Sequence, residues 1–191
     1  MDSRHEKILV QQAAAGDVRA FDAIVALHSQ RVIQLAWRLV GSREDAEDLA
    51  QEAFLRLHRS LADFRGDAAL ATWFYRTVSR LAIDFLRRER LRRRLFWFRQ
   101  SDEETDPREQ AVAPGASPAQ ELLAAEQRQR LRNALRHLSP RQRTIFVLRN
   151  DEGLALKEIA GLLGLEEGTV KIHLHRAVAR LTAELNDIRE T

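Results

Sequence analysis

Trp73, Arg76, Arg80 and Arg87 recur at helical spacing within ATWFYRTVSRLAIDFLRRERLRRR, residues 71–94. At about 100° per residue they share one side of a helix, with Thr77 and Asp84 at its margin. Phe74, Val78, Leu81 and Phe85 fall on the other side, with Tyr75, Ala82 and Leu86 beside them. Guanidinium groups neutralise phosphate and an indole face stacks on an unpaired base, so this combination suits the capture of a single nucleic-acid strand. A solvated basic face whose Trp covers a neighbouring loop has the same spacing.

A second set lies near the carboxyl end. The segment LKEIAGLL at 156–163 has a small residue at Ala160, Gly164 follows four residues later where a tight turn needs positive φ, and Leu165 plugs the core. The next helix turns Val170, Leu174, Ala177, Val178 and Leu181 inward, leaving Thr169, Lys171, Ile172, His173, Arg176 and Arg180 outside or on its flanks. This is helix-turn-helix spacing. Entered amino end first into a major groove, His173 and Arg176 could read base edges, Ile172 could meet a thymine methyl, and Lys171 and Thr169 could hold phosphate. A three-helix core with no DNA role is the plainer alternative.

The third set is acidic. Asp48, Gln51, Glu52 and Leu55 share a face, so Leu55 is an exposed apolar residue rimmed by polar and acidic groups. Such a face fits a basic partner helix, although an acid-rich helix start with one stray Leu would look alike. As metal ligands, Glu44, Asp45, Glu47, Asp48 and Glu52 spread around well over half the circumference and do not converge on one ion. His173 and His175, two apart on a helix, diverge by about 200°. No catalytic residue, metal or cofactor is expected.

The elements that position these sets read as all-α, because apolar residues keep helical spacing and no segment alternates with period two. A short helix occupies the first 15 residues, and Gly16-Asp17 breaks it and caps the next, whose Phe21, Ile24, Val25, Val32, Leu35, Ala36 and Leu39 run to a stop at Gly41. Ser42 and Asp45 form a capping-box-like start, followed by the stripe Ala46, Leu49, Ala53, Leu57, Leu61 and Phe64. RGDAAL at 65–70 is a short loop. Residues 96–120, with three of the four prolines and no periodicity, read as a flexible acidic linker. A second helical unit starts at Glu121, with Leu122, Leu131, Leu135 and Leu138 inward. Ser139-Pro140-Arg141-Gln142 starts a further helix with core residues Ile145, Phe146 and Leu148, and Asn150 to Gly153 is a turn.

The fold class is therefore two small helical domains, 1–95 and 121–191, joined by a flexible linker, the second a helix-turn-helix domain. The 191 residues include 45% hydrophobic and 31% charged, and a net charge of +3 conceals segregation: about +4 over 1–95, about −3 over 96–120 and about +2 over 121–191. Two basic pieces flanking an acidic strap suit two contacts with a polyanion. The absence of cysteine excludes disulfides and cysteine-based metal sites. No apolar run approaches the roughly 20 residues of a membrane span and the amino end lacks a signal-peptide layout, so a cytoplasmic protein with no direct membrane insertion is expected.

Three of these segments, in this order, resemble the extracytoplasmic-function (ECF) group of bacterial RNA polymerase sigma factors: DAEDLAQEAFLRLHR at 45–59, WFYRTVSRLAIDFLRR at 73–88 and LSPRQRTIFVLRNDEGLALKEIAGLLGLEEGTVKIHLHRA at 138–177. The resemblance spans nearly the whole chain apart from the linker. It implies that Asp48, Gln51, Glu52 and Leu55 dock on the clamp helices of core RNA polymerase. It further implies that Trp73, Arg76, Arg80, Arg87 and Arg88 hold the melted minus-ten strand, with loop 65–70 lining a pocket for a flipped base. Thr169, Lys171, Ile172, His173 and Arg176 would meet double-stranded promoter DNA at minus thirty-five. The linker would thread the polymerase near its RNA exit path, and an anti-sigma factor, often membrane-bound in the family, would hold the protein inactive. Arg80 stands where the family usually has Asn, Ile172-His173 where it has a polar-basic pair, and His58 where an aromatic is common, so base preference does not carry over. Glu166 and Glu167 favour the recognition-helix dipole but repel phosphate. A free-standing helix-turn-helix regulator with an amino-terminal oligomerisation or sensor domain would explain the second half equally well, but leaves the Trp-Arg face and Leu55 without a role.

Overall fold

Asp17 begins the first long helix by accepting hydrogen bonds from the backbone N–H groups of Arg19 (2.9 Å) and Ala20 (3.3 Å), two donors with no partner inside the helix. Gly41 ends it with φ of 82°, a left-handed conformation that costs glycine little, and its N–H reaches Trp37 O at 2.7 Å. One residue later Ser42 accepts from Asp45 N and starts the next helix. In the computed structural model, which describes residues 3–61, 69–96, 129–131 and 133–187, these signals bound α1 (Ser3–Ala14), α2 (Val18–Val40) and α3 (Arg43–Ser60). A 27-residue α4 follows (Leu70–Phe96), then α5 (Pro140–Asn150), α6 (Leu156–Leu163) and α7 (Glu167–Asp187). No strand occurs among the described residues. Loop residues 65–68, the linker from 97 to 120, Phe64 and Leu122 lie outside them.

α2 is the axis of the first half, packing against α1, α3 and α4. Its Ile24, Val32, Leu35 and Leu39 join Leu49, Ala53 and Leu57 of α3 and Phe74, Val78 and Leu81 of α4 in one buried cluster, as the helical spacing predicts. In the second half α5 starts with the full capping box: Gln142 N donates to Ser139 Oγ at 3.3 Å, and Ser139 N donates to Gln142 Oε1 at 3.0 Å. α6 ends at Gly164, φ 66°, as the turn requires. α7 crosses both α5 and α6, and its carboxyl-terminal part buries Ala177 and Leu181 with Ala134, Leu135 and Leu138 in a smaller cluster.

The main cluster does not stop at the end of the first half. Ile145, Val147 and Leu148 of α5, Ile159 and Leu162 of α6 and Val170 of α7 belong to it as well, and α4 contacts both α5 and α6. Two inward expectations are corrected. Val178 is 45% exposed and Leu131 is 37% exposed. Val178 sits at the margin of the stripe that Val170, Ala177 and Leu181 define, where a 3.6-residue period permits either side.

Candidate nucleic-acid interface

α4 turns its two sides as its spacing requires. Phe74, Tyr75, Val78, Leu81 and Ala82 are buried, while Arg76, Arg80, Arg87 and Arg88 are exposed. Trp73 is half-buried and packs edge-on against Phe74, with ring centroids 5.4 Å apart. One edge of the indole therefore belongs to the core, and the rest remains accessible among the arginines. Arg87 lies 3.8 Å from Asp84, and Arg88 Nε donates to the Asp84 carbonyl at 3.3 Å. These are weak exposed contacts that leave the guanidinium charge available to phosphate.

The same face holds a residue that periodicity did not single out. Ile83 falls among Arg76, Arg80 and Arg87 by helical angle, yet it is only 8% exposed. It lines a cavity of about 170 Å³ together with Arg80, Asp84 and Arg87 of α4, Arg141 of α5, and Leu163 and Leu165 at the end of α6. The second half of the molecule thus covers part of the basic face of the first.

On α7 the outward set is open. Lys171, Ile172 and Arg176 are exposed, Ile172 at 54%, and Thr169 and His173 are half-buried. Two residues apart, Lys171 and Thr169 stand on opposite margins of the helix, where phosphates flanking a groove would pass. His173 differs from its neighbours. Its Nδ1 is buried without a hydrogen-bond partner among the described residues, and burial, followed by the nearby Arg141 and Arg176 charges, lowers its pKa below the usual histidine value. Arg180, on the flank, is held by Glu184 at 3.2 Å, and Glu184 in turn contacts His137 Nδ1 at 2.8 Å.

On α3, Leu55 is 44% exposed between exposed Asp48 and Gln51, while Ala46, Leu49, Ala53 and Leu57 on the other side are buried. Glu52 is half-buried and already pairs with Arg56 at 2.7 Å, so within this face Asp48 is the carboxylate freer to meet an incoming cation. The four residues share one strip.

A set of linked polar groups between the halves escaped the reading of single helices. Arg143 is 4% exposed, and burial, with Arg136 nearby, lowers its pKa to about 10, so it stays charged at neutral pH. Its Nη2 donates to the Arg38 carbonyl at 3.4 Å. Arg38 Nη1 pairs with Glu152 Oε1 at 2.5 Å, and Tyr75 Oη donates to Glu152 Oε2 at 2.8 Å. Arg31 Nη2 donates to the same Tyr75 oxygen at 2.5 Å. A run of arginines on a helical wheel gives no sign that one of them is buried by an element a hundred residues away.

Comparison with known proteins agrees with the two-part architecture. Residues 24–92 match the family model described as Sigma-70 region 2, and residues 128–181 match Sigma-70, region 4. The chain is 31% identical over 179 residues to the ECF RNA polymerase sigma factor SigW of Bacillus subtilis, covering 94% of this chain and 96% of that protein. It is 32% identical over 177 residues to the ECF RNA polymerase sigma-E factor of Escherichia coli K12, covering 90% of each. Among solved structures, CnrH in complex with the cytosolic domain of CnrY aligns over 96% of this chain and 98% of that one, at 26% identity and a TM-score of 0.63. The sigma factor RpoE of Bartonella quintana, solved with the anti-sigma factor NepR, shares the fold at 22% identity and a TM-score of 0.64, over 88% and 98%.

Proposed function

This chain belongs to the ECF RNA polymerase sigma factors, and from that premise we propose how its three exposed faces divide the work of promoter-specific initiation. Residues 1–95 form the polymerase-binding and minus-ten domain, 121–191 the minus-thirty-five domain, and 96–120 the strap between them. Asp48, Gln51, Glu52 and Leu55 dock on core RNA polymerase. There an apolar knob within a polar rim gives contact area, and Asp48 gives charge complementarity to a basic helix. Trp73 stacks an unpaired base of the non-template strand while Arg76, Arg80, Arg87 and Arg88 neutralise its backbone. Arg176, Ile172 and His173 read the upstream duplex between the phosphate contacts of Thr169 and Lys171.

The observation that carries this reading is α4: a partly accessible indole within four exposed arginines, on a helix whose other side is core. The protein does no covalent chemistry itself. It supplies binding energy and orientation to an enzyme it joins, which fits a cytoplasmic protein; no described helix is long and apolar enough to cross a membrane. CnrH is bound to the cytosolic domain of CnrY, and an anti-sigma factor holding this chain inactive is proposed by the same likeness.

The test is reconstitution. Core polymerase with this protein opens a cognate promoter, seen as permanganate-reactive thymines around minus ten, and sequencing the DNA bound by the holoenzyme gives both elements. Core binding with no opening on any sequence would sink the assignment.

A further inference from the structure

α4 begins without a cap of its own. Ala69, whose carbonyl accepts from Thr72 N at 2.9 Å and from Trp73 N at 3.2 Å, stands at the N-cap position and has no side-chain oxygen to offer the first turn. An acceptor comes from another helix instead. Glu6 of α1, 64 residues earlier in the chain, takes the Leu70 N–H on its Oε1 at 3.2 Å. Leu70 is 1% exposed, so little water can reach that donor if the carboxylate is lost. A negative group at this end also complements the helix dipole.

The second oxygen of Glu6 faces a different partner. It lies 3.2 Å from Nε2 of His28 on α2, and the Glu6 and His28 side chains are 24% and 11% exposed, so this is a partly buried pair rather than a solvated one. The His28 ring leans on Phe74, with centroids 5.3 Å apart. Phe74 in turn meets Phe54 of α3 at 5.1 Å and Trp73 edge-on at 5.4 Å. Glu6 therefore reaches the residue next to Trp73 through two routes, the backbone of the first turn and a chain of rings. Its own helix is anchored, because Val10 is buried and Leu9 and Ala13 pack against the main cluster.

We propose that Glu6 is a positioning residue for strand capture, holding the Trp73 indole ready by capping α4 and by bracing His28 against Phe74. An indole fixed before the base arrives loses less freedom on stacking than one on a frayed turn, so the cap is expressed as affinity for the strand. The functional consequence rests on the proposed role of Trp73; the hold of Glu6 on the indole does not.

The chain contains three tryptophans, Trp37, Trp73 and Trp97, so 5-fluorotryptophan gives three fluorine resonances in the full-length protein, and Trp73→Phe identifies the one of interest. Glu6→Ala should move and broaden the Trp73 line while Trp37 stays in place, since loss of a cap shifts a helix end about fivefold toward fraying. Two changes should bring the line back. Glu6→Gln keeps an oxygen for the Leu70 N–H, and Ala69→Ser in the Glu6→Ala chain supplies a cap from the exposed N-cap position itself. In the reconstituted holoenzyme, permanganate reactivity at minus ten should fall by up to about fivefold for Glu6→Ala and recover with either rescue, with core and upstream-duplex binding unchanged. Circular dichroism melts of each variant follow the helices as a whole. A Trp73 line that Glu6→Ala leaves unmoved, an equal shift of Trp37, or failure of both rescues overturns the proposal. So does unchanged minus-ten reactivity in Glu6→Ala where Trp73→Ala lowers it. If Trp73→Ala itself leaves that reactivity unchanged, the functional reading falls instead, and the fluorine line still decides whether Glu6 holds the indole.

Discussion

α4 and α7 both carry exposed arginines, and the molecule treats them differently. α7 leaves its outward side free: Ile172 is 54% exposed, and Lys171 and Arg176 stand clear beside it. α4 has its basic side partly occupied, with Ile83 at 8% exposure beneath the second half and Trp73 half-committed to Phe74. A duplex reader can meet its target as an intact double helix, so constant exposure costs little. A strand-holding surface has no target until base pairs separate, and part of its area can serve another contact until then.

The contrast can be broken or sharpened by substitution. The largest effect expected is that of Asp48→Arg, which sets a like charge against a basic polymerase helix at a cost of several kcal/mol. It should silence α4 and α7 together in transcription while upstream duplex binding by the free protein is unchanged. Loss of duplex binding would show that α3 is not a separate surface. Next is Trp73→Ala. Removing a stacking partner should cost about 1 to 3 kcal/mol in strand capture, read as reduced permanganate reactivity at minus ten with duplex affinity preserved. Arg176→Ala should invert that pattern, losing about 1 to 3 kcal/mol at the upstream element with core binding intact. Equal effects of both on both readouts would dissolve the division of labour.

The smallest effect separates the helices by chemistry. The basic face of α4 carries no histidine, whereas α7 presents His173, whose pKa is lowered chiefly by burial. Phosphate nearby favours the charged imidazole, so DNA binding takes up a proton and tightens as pH falls below the usual histidine range. His173→Gln should remove the dependence. A shift of the same size in minus-ten strand binding would place the titrating group elsewhere.

Much of this was legible from residue order. Asp17, Gly41, Ser42, Ser139 and Gly164 mark helix ends because each satisfies a local backbone need, and local needs are visible in sequence. Leu55 reads as exposed because helical angle alone excludes it from the stripe. Ile83, Arg143 and Glu152 were not legible for one shared reason. Their burial depends on an element distant in the chain, and periodicity ranks positions only within their own helix. Arg143 was the hardest, since an arginine three residues into a helix normally reads as surface. The proposed roles of Trp73 and Arg176 were readable from residue type and helical spacing, whereas docking of Asp48 on core polymerase came only from the resemblance.

Gly41 makes the molecule unevenly robust to inherited change. Its φ of 82° belongs to the geometry of the first half, and the space that a Cβ would take, 3.0 Å from Arg143 Nη2, belongs to the fit of the second. Most surface positions can drift because an error there touches one property at a time. A missense change at residue 41 touches two, straining a helix end and crowding a buried cation a hundred residues away in sequence. Random mutagenesis screened for retained folding should therefore seldom recover a substitution at residue 41.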